Sequence, residues 1–277
     1  MMAEFDFLTF QADFSSPKIL SAYDEVALWS AMFGLFLLEE VPLNNITSAL
    51  DVGCGTGFPL IELAERLGPR CRVYGIDPWT GGLARAREKI TARGTNNVTL
   101  QEGSAAEMPF PDNTFDLIVS NLGINNFEDR AAAIRECRRV ARTGATLALT
   151  TNLQGHMHEF YAVFADVVSN DENATRRLKE HIEHRATIET VRDLLETGGF
   201  SVSRVRERQA TMRFLDGTAL FNHHFIKLGF LDGWKQIGGD KQKQVFETLH
   251  RRLNDLAQSK GELCLTIPMA YFEASAT

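Results

Sequence analysis

Short apolar runs alternate with amphipathic stretches through the middle of the chain. Ala49, Leu50 and Val52 mark a buried strand over 48–53. The pattern then predicts helix 58–67, strand 72–77, helix 81–93, strands 98–102 and 115–120, helix 127–142 and strand 145–151. Strands alternating with helices of this length predict a parallel, doubly wound α/β sheet. Gly68-Pro69 and Thr143-Gly144 are the expected stops of two of the helices. Ahead of this core, Ser16-Pro17 signals an amino-terminal helical region that ends at Glu40-Val41-Pro42. Its run from Val26 to Leu38, interrupted by Ser30, is too short to span a bilayer and reads as a buried helix.

Beyond Thr151 the pattern turns mainly helical, with helices expected at 155–169, 172–185 and 187–198. A strand follows at about 200–207, then helices at 216–235 and 241–259, and a last strand from Glu262. Val245, Leu249, Leu253 and Leu256 form a helical packing stripe. Leu263, Leu265 and Ile267 alternate as in a strand, and Pro268 is expected to end regular pairing there. The predicted organisation is an amino-terminal helical cap (1–45), an α/β core (46–151), helical insertions (152–186 and 210–260), and two segments that complete the sheet (187–209 and 261–277). Insertions of this length exceed what connecting strands requires. They are expected to form a lid on the carboxyl edge of the sheet.

The chemistry begins where the first strand breaks into Gly53-Cys54-Gly55-Thr56-Gly57-Phe58. Glycines at such a junction let the backbone turn sharply and approach a ligand closely. A dinucleotide fingerprint needs a small residue where Phe58 stands, and Asp51 is a poor neighbour for a pyrophosphate. S-adenosylmethionine, which has no phosphate and presents an ammonium and a sulfonium, suits this loop better. Asp77 ends the next strand, at a distance from Gly53 along the chain that sets a carboxylate beside a ribose. A carboxylate accepts hydrogen bonds from both ribose hydroxyls.

The stretch from about Ser48 to Thr151 resembles the class I, Rossmann-like, S-adenosylmethionine-dependent methyltransferases, and most of all their small-molecule ubiquinone/menaquinone-type branch. The matching pieces are Leu-Asp-Val-Gly-Cys-Gly-Thr-Gly (50–57), Gly-Ile-Asp-Pro (75–78), Ala-Glu-Met-Pro-Phe-Pro-Asp-Asn-Thr-Phe-Asp (106–116) and Glu-Cys-Arg-Arg-Val-Ala-Arg-Thr-Gly (136–144). The resemblance implies a mostly parallel seven-stranded sheet with a helical lid, and S-adenosyl-L-methionine as cofactor. By position it implies that Gly53, Gly55 and Gly57, with Asp51, Cys54 and Phe58 in the same loop, surround the methionine end. Asp77 is then expected on the ribose, Pro78 and Trp79 near the adenine, Ser104 and Ala105 at the adenine edge, and Asn121 and Leu122 facing the sulfonium. Tyr23 and Trp29 are further candidates, as cation–π partners of the sulfonium.

Two departures from the family pattern bear on mechanism. Gly103-Ser104-Ala105 stands where the family usually has Gly-Asp-Ala, which leaves the adenine contact to the Ser104 hydroxyl or to Glu107. Asn125-Asn126 stands where ubiquinone-type members often carry two histidines, which removes a titratable group from the reacting centre. A general base then has to come from elsewhere, and His156 and His158, just after the fifth strand, are the candidates. Asn125, Asn126, Phe221, His224 and Phe225 are candidate acceptor contacts, the last three in an aromatic segment that continues through Phe230, Leu231 and Trp234.

Composition changes the picture little. A hydrophobic share of 44% is ordinary for a globular protein, and 36 acidic against 29 basic residues (net −7) argue against a nucleic-acid partner. Cys54, Cys71, Cys137 and Cys264 show no C-x-x-C pairing, which suggests neither zinc nor a disulfide framework and fits a reducing cytoplasm. Glu4 and Asp6 are unlike the start of a signal peptide. His181 and His184 read as residues of a charged surface helix, and no metal is expected. The sequence thus predicts methyl transfer to O, N or C of a small, partly apolar molecule. The alternatives are a catalytically silent S-adenosylmethionine-binding partner protein and an RNA or protein methyltransferase. A homo-oligomer is left open.

Overall fold

The computed structural model describes residues 6–16, residue 19 and residues 28–277. Pro17, Tyr23 and the first part of the 26–38 run lie outside the described residues. Along the chain come α1 (Leu28–Glu40), β1 (Ser48–Val52), α2 (Leu60–Leu67), β2 (Arg72–Asp77), α3 (Thr80–Arg93), β3 (Val98–Glu102), β4 (Phe115–Asn121), α4 (Arg130–Val140) and β5 (Ala141–Asn152). They are followed by α5 (His158–Val168), α6 (Glu172–Glu183), α7 (Ile188–Thr197), β6 (Phe200–Phe214), α8 (Gly217–Asn222), α9 (His224–Gly229), α10 (Leu231–Gly238), α11 (Gln242–Lys260) and β7 (Leu263–Ala276).

Strands of a parallel sheet are covered on both faces and so need apolar residues at nearly every position. β1 and β4 have this character: Ala49, Leu50, Val52, Leu117, Ile118 and Val119 are all buried. Among the described residues seven strands form one sheet in the order β3-β2-β1-β4-β5-β7-β6. β1 pairs in parallel with β2 and β4, β2 with β3, and β4 with β5, while β7 runs antiparallel to β5. Strand order reverses between β1 and β4, and in such sheets ligands bind at the carboxyl ends beside that reversal.

The chain divides into two compact units. The sheet unit is Leu20–Asn152, Ala186–Arg208 and Met269–Thr277, and the other unit is Met1–Ile19, Leu153–Arg185 and Gln209–Pro268. The second unit is mainly helical and has an aromatic core. Phe160 stacks on Trp234 at 4.2 Å between centroids and Phe7 on Phe221 at 4.8 Å, with Phe246, Leu249 and Leu253 of α11 buried in the same unit.

Several boundaries differ from the sequence reading for identifiable reasons. α4 ends at Val140, before Thr143-Gly144, because Ala141 already pairs with Phe115 of β4. β6 runs on to Phe214. The expected helix 216–235 is three short ones, since His223 is extended (φ −64°, ψ 127°) and Phe230 (φ −133°) leaves helical geometry. Pro268 does not end its strand. Pairing with β5 starts at the next residue, Met269 opposite Asn152, so the missing proline N–H falls before the ladder begins. The Pro268 carbonyl still accepts from Leu153 N–H at 3.0 Å.

Gly75 in β2 is where strand, helix and loop come closest: a Cβ there would lie 2.5 Å from Leu60 Cδ2 and 2.8 Å from Cys54 Sγ. Gly75→Ala should therefore destabilise the protein by about 1–3 kcal/mol through overpacking. Urea denaturation checks this, whereas Gly94→Ala, with open space around its Cβ, tests only the positive φ of that position.

Candidate active site

β1 breaks after Val52 because Gly53, Gly55 and Gly57 all adopt positive φ, backbone that suits glycine. The turn is tied back to β2. Gly53 and Cys54 N–H donate to the Ile76 carbonyl at 2.9 and 3.2 Å. Asp77 closes the tie: one carboxylate oxygen accepts from Gly55 N–H and the other from Trp79 N–H, both at 2.8 Å. The Trp79 ring lies over Gly82, where a Cβ would come within 2.5 Å of it.

Asp51, on β1 just before Val52, is fully buried, and neither of its oxygens meets a donor in full hydrogen-bond geometry. Burial, and then the charge of Asp77, push its pKa up to about 8, against only a weak pull from Leu60 N–H. Burial also raises Asp77, opposed by its bonds from Trp79 and Gly55. A buried carboxylate with no counter-charge is costly, so the pair suits a cationic ligand and disfavours a pyrophosphate. S-adenosylmethionine, with its ammonium and sulfonium, fits this donor and acceptor set.

In the same unit α1 packs on the loop. A Cβ on Gly34 would lie 2.2 Å from the Phe58 ring and 3.2 Å from Asn121 Nδ2. Asn121 donates to the Ser30 carbonyl at 3.1 Å and accepts from Thr150 Oγ1 at 2.8 Å. Leu122 follows at φ +62°, its N–H donating to the Thr150 carbonyl. The sequence reading missed Gly34, although a glycine inside an apolar helix was the available signal.

Other candidates are placed differently from what the sequence suggested. The Cys54 thiol is buried against Gly75, so only its backbone remains for a ligand. Ser104 Oγ accepts from Ala106 N–H at 3.1 Å within its own turn, Ala105 is half-buried in that turn, and Pro78 is exposed. Asn125 is a tie between strands, accepting from Thr151 Oγ1 at 2.6 Å and donating to Asn152 Oδ1 at 2.9 Å, while Asn126 is exposed. One hydrogen and one lone pair of the Asn125 amide are thus engaged within the sheet unit. Phe221 is a correction: it is wholly buried among Phe7, Trp234 and Phe246 and is core. His224 lies edge-on to Phe10 and Phe225 edge-on to Phe230.

The two histidines proposed as bases part company. His158 is exposed, with Nε2 3.4 Å from Glu159. His156 is buried and stacked on Phe230 at 5.4 Å. Burial first, then the charges of Arg185 and His181, hold its pKa well below the usual imidazole range. A lowered pKa keeps the basic form at lower pH, so a reaction using His156 would not show the rise through pH 6–7 expected of an ordinary imidazole. His181 is also a correction. It is no simple surface residue, since Tyr161 Oη lies 3.0 Å from its Nε2 and burial lowers its pKa to about 4. Among the described residues no three of His, Cys, Asp and Glu converge as a metal site, and no helix is long and apolar enough to cross a membrane.

Comparison with known proteins bears first on the fold. Residues 50–149 match the family described as Methyltransferase domain. The demethylmenaquinone methyltransferase of Anoxybacillus flavithermus is 40% identical over 131 residues, 46% of this chain and 55% of the relative. That of Geobacillus stearothermophilus is 40% identical over 132 residues, 46% of this chain and 56% of the relative. The chain thus spans about half the length of the curated relatives it matches. Among solved structures, a SAM-dependent methyltransferase from Aquifex aeolicus superposes with TM-score 0.55 at 25% identity, over 70% of this chain and 92% of that one. Phosphoethanolamine N-methyltransferase 2 of Haemonchus contortus, solved with S-adenosyl-L-methionine, shares the fold (TM-score 0.58, 17% identity, 100% of this chain and 60% of that one). The chain has the Rossmann-like methyltransferase fold. It resembles the class I S-adenosylmethionine-dependent methyltransferases of the menaquinone type.

A carboxylate whose pKa is raised on folding favours the folded state at low pH and loses that contribution as pH rises from about 4 towards 8. Asp51→Asn should therefore raise the melting temperature of the ligand-free protein at pH 8, a gain of about 1–3 kcal/mol, and leave it near wild type at pH 4. Melting curves across pH check this. An equal shift at both pH values would show that burial of the charge is not the cause.

Proposed function

We propose that the protein transfers a methyl group from S-adenosyl-L-methionine to O, N or C of a small, partly apolar molecule. The observation that carries this reading is the buried Asp51 carboxylate beside Asp77 under a three-glycine turn. Bound there, the cofactor supplies an electrophilic methyl group on a sulfonium. The chain's own work is to bind and align. Asp51 offers its charge to the ammonium, and Asp77, with lone pairs left beyond its two backbone bonds, accepts from the ribose hydroxyls. Trp79 and the Ser104–Ala105 turn flank the adenine. Phe58, Asn121 and Leu122 border the position of the reacting methyl, and alignment with exclusion of water supplies most of the rate. Where the acceptor must lose a proton, His156 or His158 takes it. Matches to the named relatives cover only 46% of this chain, and their quinone-type acceptor supports a small-molecule substrate. Four free cysteines support a reducing, cytoplasmic setting.

Asp77→Ala should weaken S-adenosylmethionine binding by about 1–3 kcal/mol, the loss expected for a charge-assisted hydrogen bond. Calorimetry with S-adenosylmethionine and NAD is the measurement, and preference for NAD would defeat the assignment. In a labelled-methyl assay the label should enter a small-molecule pool. Transfer to RNA or protein alone, or cofactor binding without any release of S-adenosylhomocysteine, would favour the other readings.

A further inference from the structure

At the carboxyl ends of β4 and β5 two side-chain hydrogen-bond chains run in one direction, and only one of them closes. Asn121 stands opposite Thr150 in the sheet. The Thr150 hydroxyl donates to Asn121 Oδ1 at 2.8 Å, and Asn121 Nδ2 donates to the Ser30 carbonyl at 3.1 Å, so this chain ends on an acceptor. The second chain starts one residue further along β5. The Thr151 hydroxyl donates to Asn125 Oδ1 at 2.6 Å, with the Asn152 carbonyl more distant at 3.2 Å, and Asn125 Nδ2 donates to Asn152 Oδ1 at 2.9 Å. Asn152 Nδ2 comes last with two hydrogens, and among the described residues it meets no acceptor. The Asn152 side chain is only 2% exposed, yet its nitrogen is not one of the polar atoms sealed from solvent. A buried amide donor left open costs stability, and the donors behind it polarise it further. All of these residues belong to the sheet unit, as does the glycine turn. The turn Gly123–Asn125 lies against that glycine turn, since a Cβ on Gly53 would come within 3.4 Å of Gly123 Cα. Asn152 shares a strand face with Thr150 and lies roughly 7 Å beyond it, so the open donor follows directly on the residue that holds Asn121.

We propose that the Asn152 amide nitrogen is the donor that receives an oxygen of the methyl acceptor, which selects acceptors able to present an oxyanion, such as a phenolate or enolate, over amines. The assignment rests on the methyltransferase reading for its purpose, though the donor itself can be tested without turnover. An amide N–H offers nothing to an ammonium or to another N–H. Being neutral, it favours loss of the acceptor's hydroxyl proton without holding the oxyanion as firmly as a fixed cation would. The acceptor's proton goes to water, and the electron pair left behind forms the bond to the methyl carbon. The pair of the broken carbon–sulfur bond stays on sulfur, which becomes neutral. Activation is thus supplied by a hydrogen bond where Asn125-Asn126 offers no titratable group.

The test uses the full chain and two probes of similar shape, pentafluorophenolate and pentafluorotoluene, followed by fluorine NMR titration with and without S-adenosylhomocysteine. Wild type should bind the phenolate about 10- to 100-fold more tightly than the toluene, the range for one hydrogen bond to a charged group. Asn152→Asp keeps the acceptor that Asn125 needs and replaces the donor with a carboxylate oxygen, so it should lose the preference. Asn152→Ala should lose it as well, which separates loss of the donor from repulsion by a new charge and decides the matter if the Asp variant fails to fold. S-adenosylhomocysteine affinity should match wild type in both variants, as the sign of an intact cofactor loop. If wild type fails to bind S-adenosylhomocysteine yet prefers the phenolate, and Asn152→Ala does not, the cofactor reading falls and the donor site stands. Failure of wild type to bind the phenolate, equal binding of the two probes, or a preference that survives in Asn152→Ala overturns the proposal.

Discussion

Two carboxylates at the ends of neighbouring strands, Asp51 buried and Asp77 half-buried, set the terms for the rest of the sheet unit. Asp51 sits on a central strand with no full hydrogen bond, and Asp77 spends both oxygens on the N–H groups of Gly55 and Trp79. Burial penalises both charges, and the charge of Asp77 adds to the cost at Asp51. A fold optimised for stability alone would replace Asp51 with an apolar residue, so its retention marks a place where stability has been given up for binding. The glycines matter for the same reason. They let the loop close over the acids while keeping its N–H groups turned to Ile76 and Asp77.

The surroundings hold that arrangement rigid. Gly75 lets Leu60 and Cys54 pack onto β2, so the loop is supported from behind. Gly34 lets α1 approach Phe58, and Asn121 fastens that helix to the end of β4 through the Ser30 carbonyl. Asn125, Thr151 and Asn152 lock the ends of β4 and β5 by side-chain bonds. Placement to within a fraction of an ångström is what methyl transfer asks of a protein, because there is little proton or metal chemistry to supply. The polar residues at the strand ends thus serve mainly to fix backbone.

Much of this was legible in the sequence, and the reason is local. The seven strands, their mostly parallel order and the glycine turn follow from continuous apolar runs, helix stops and backbone demands that act over a few residues. Failures came where tertiary contacts decide. Ala141 was captured by Phe115 across the sheet, the 216–235 helix broke at His223 and Phe230, and Pro268 proved harmless because its partner ladder starts at the following residue. Site residues followed the same division. Asp51 and Asp77 come with the motif, whereas the buried state of His156 and the tie on Asn125 depend on neighbours far away in the chain.

The central claim is that Asp51 is a buried, costly carboxylate awaiting a cation. Carbon-13 NMR titration of the Asp51 carboxyl group measures this directly, first without ligand and then with saturating S-adenosylmethionine. The account predicts an apparent pKa of about 8 in the ligand-free protein and a fall of at least about one unit on binding, as the ammonium supplies the missing counter-charge. A ligand-free value near that of an ordinary aspartate, unmoved by the cofactor, would contradict it.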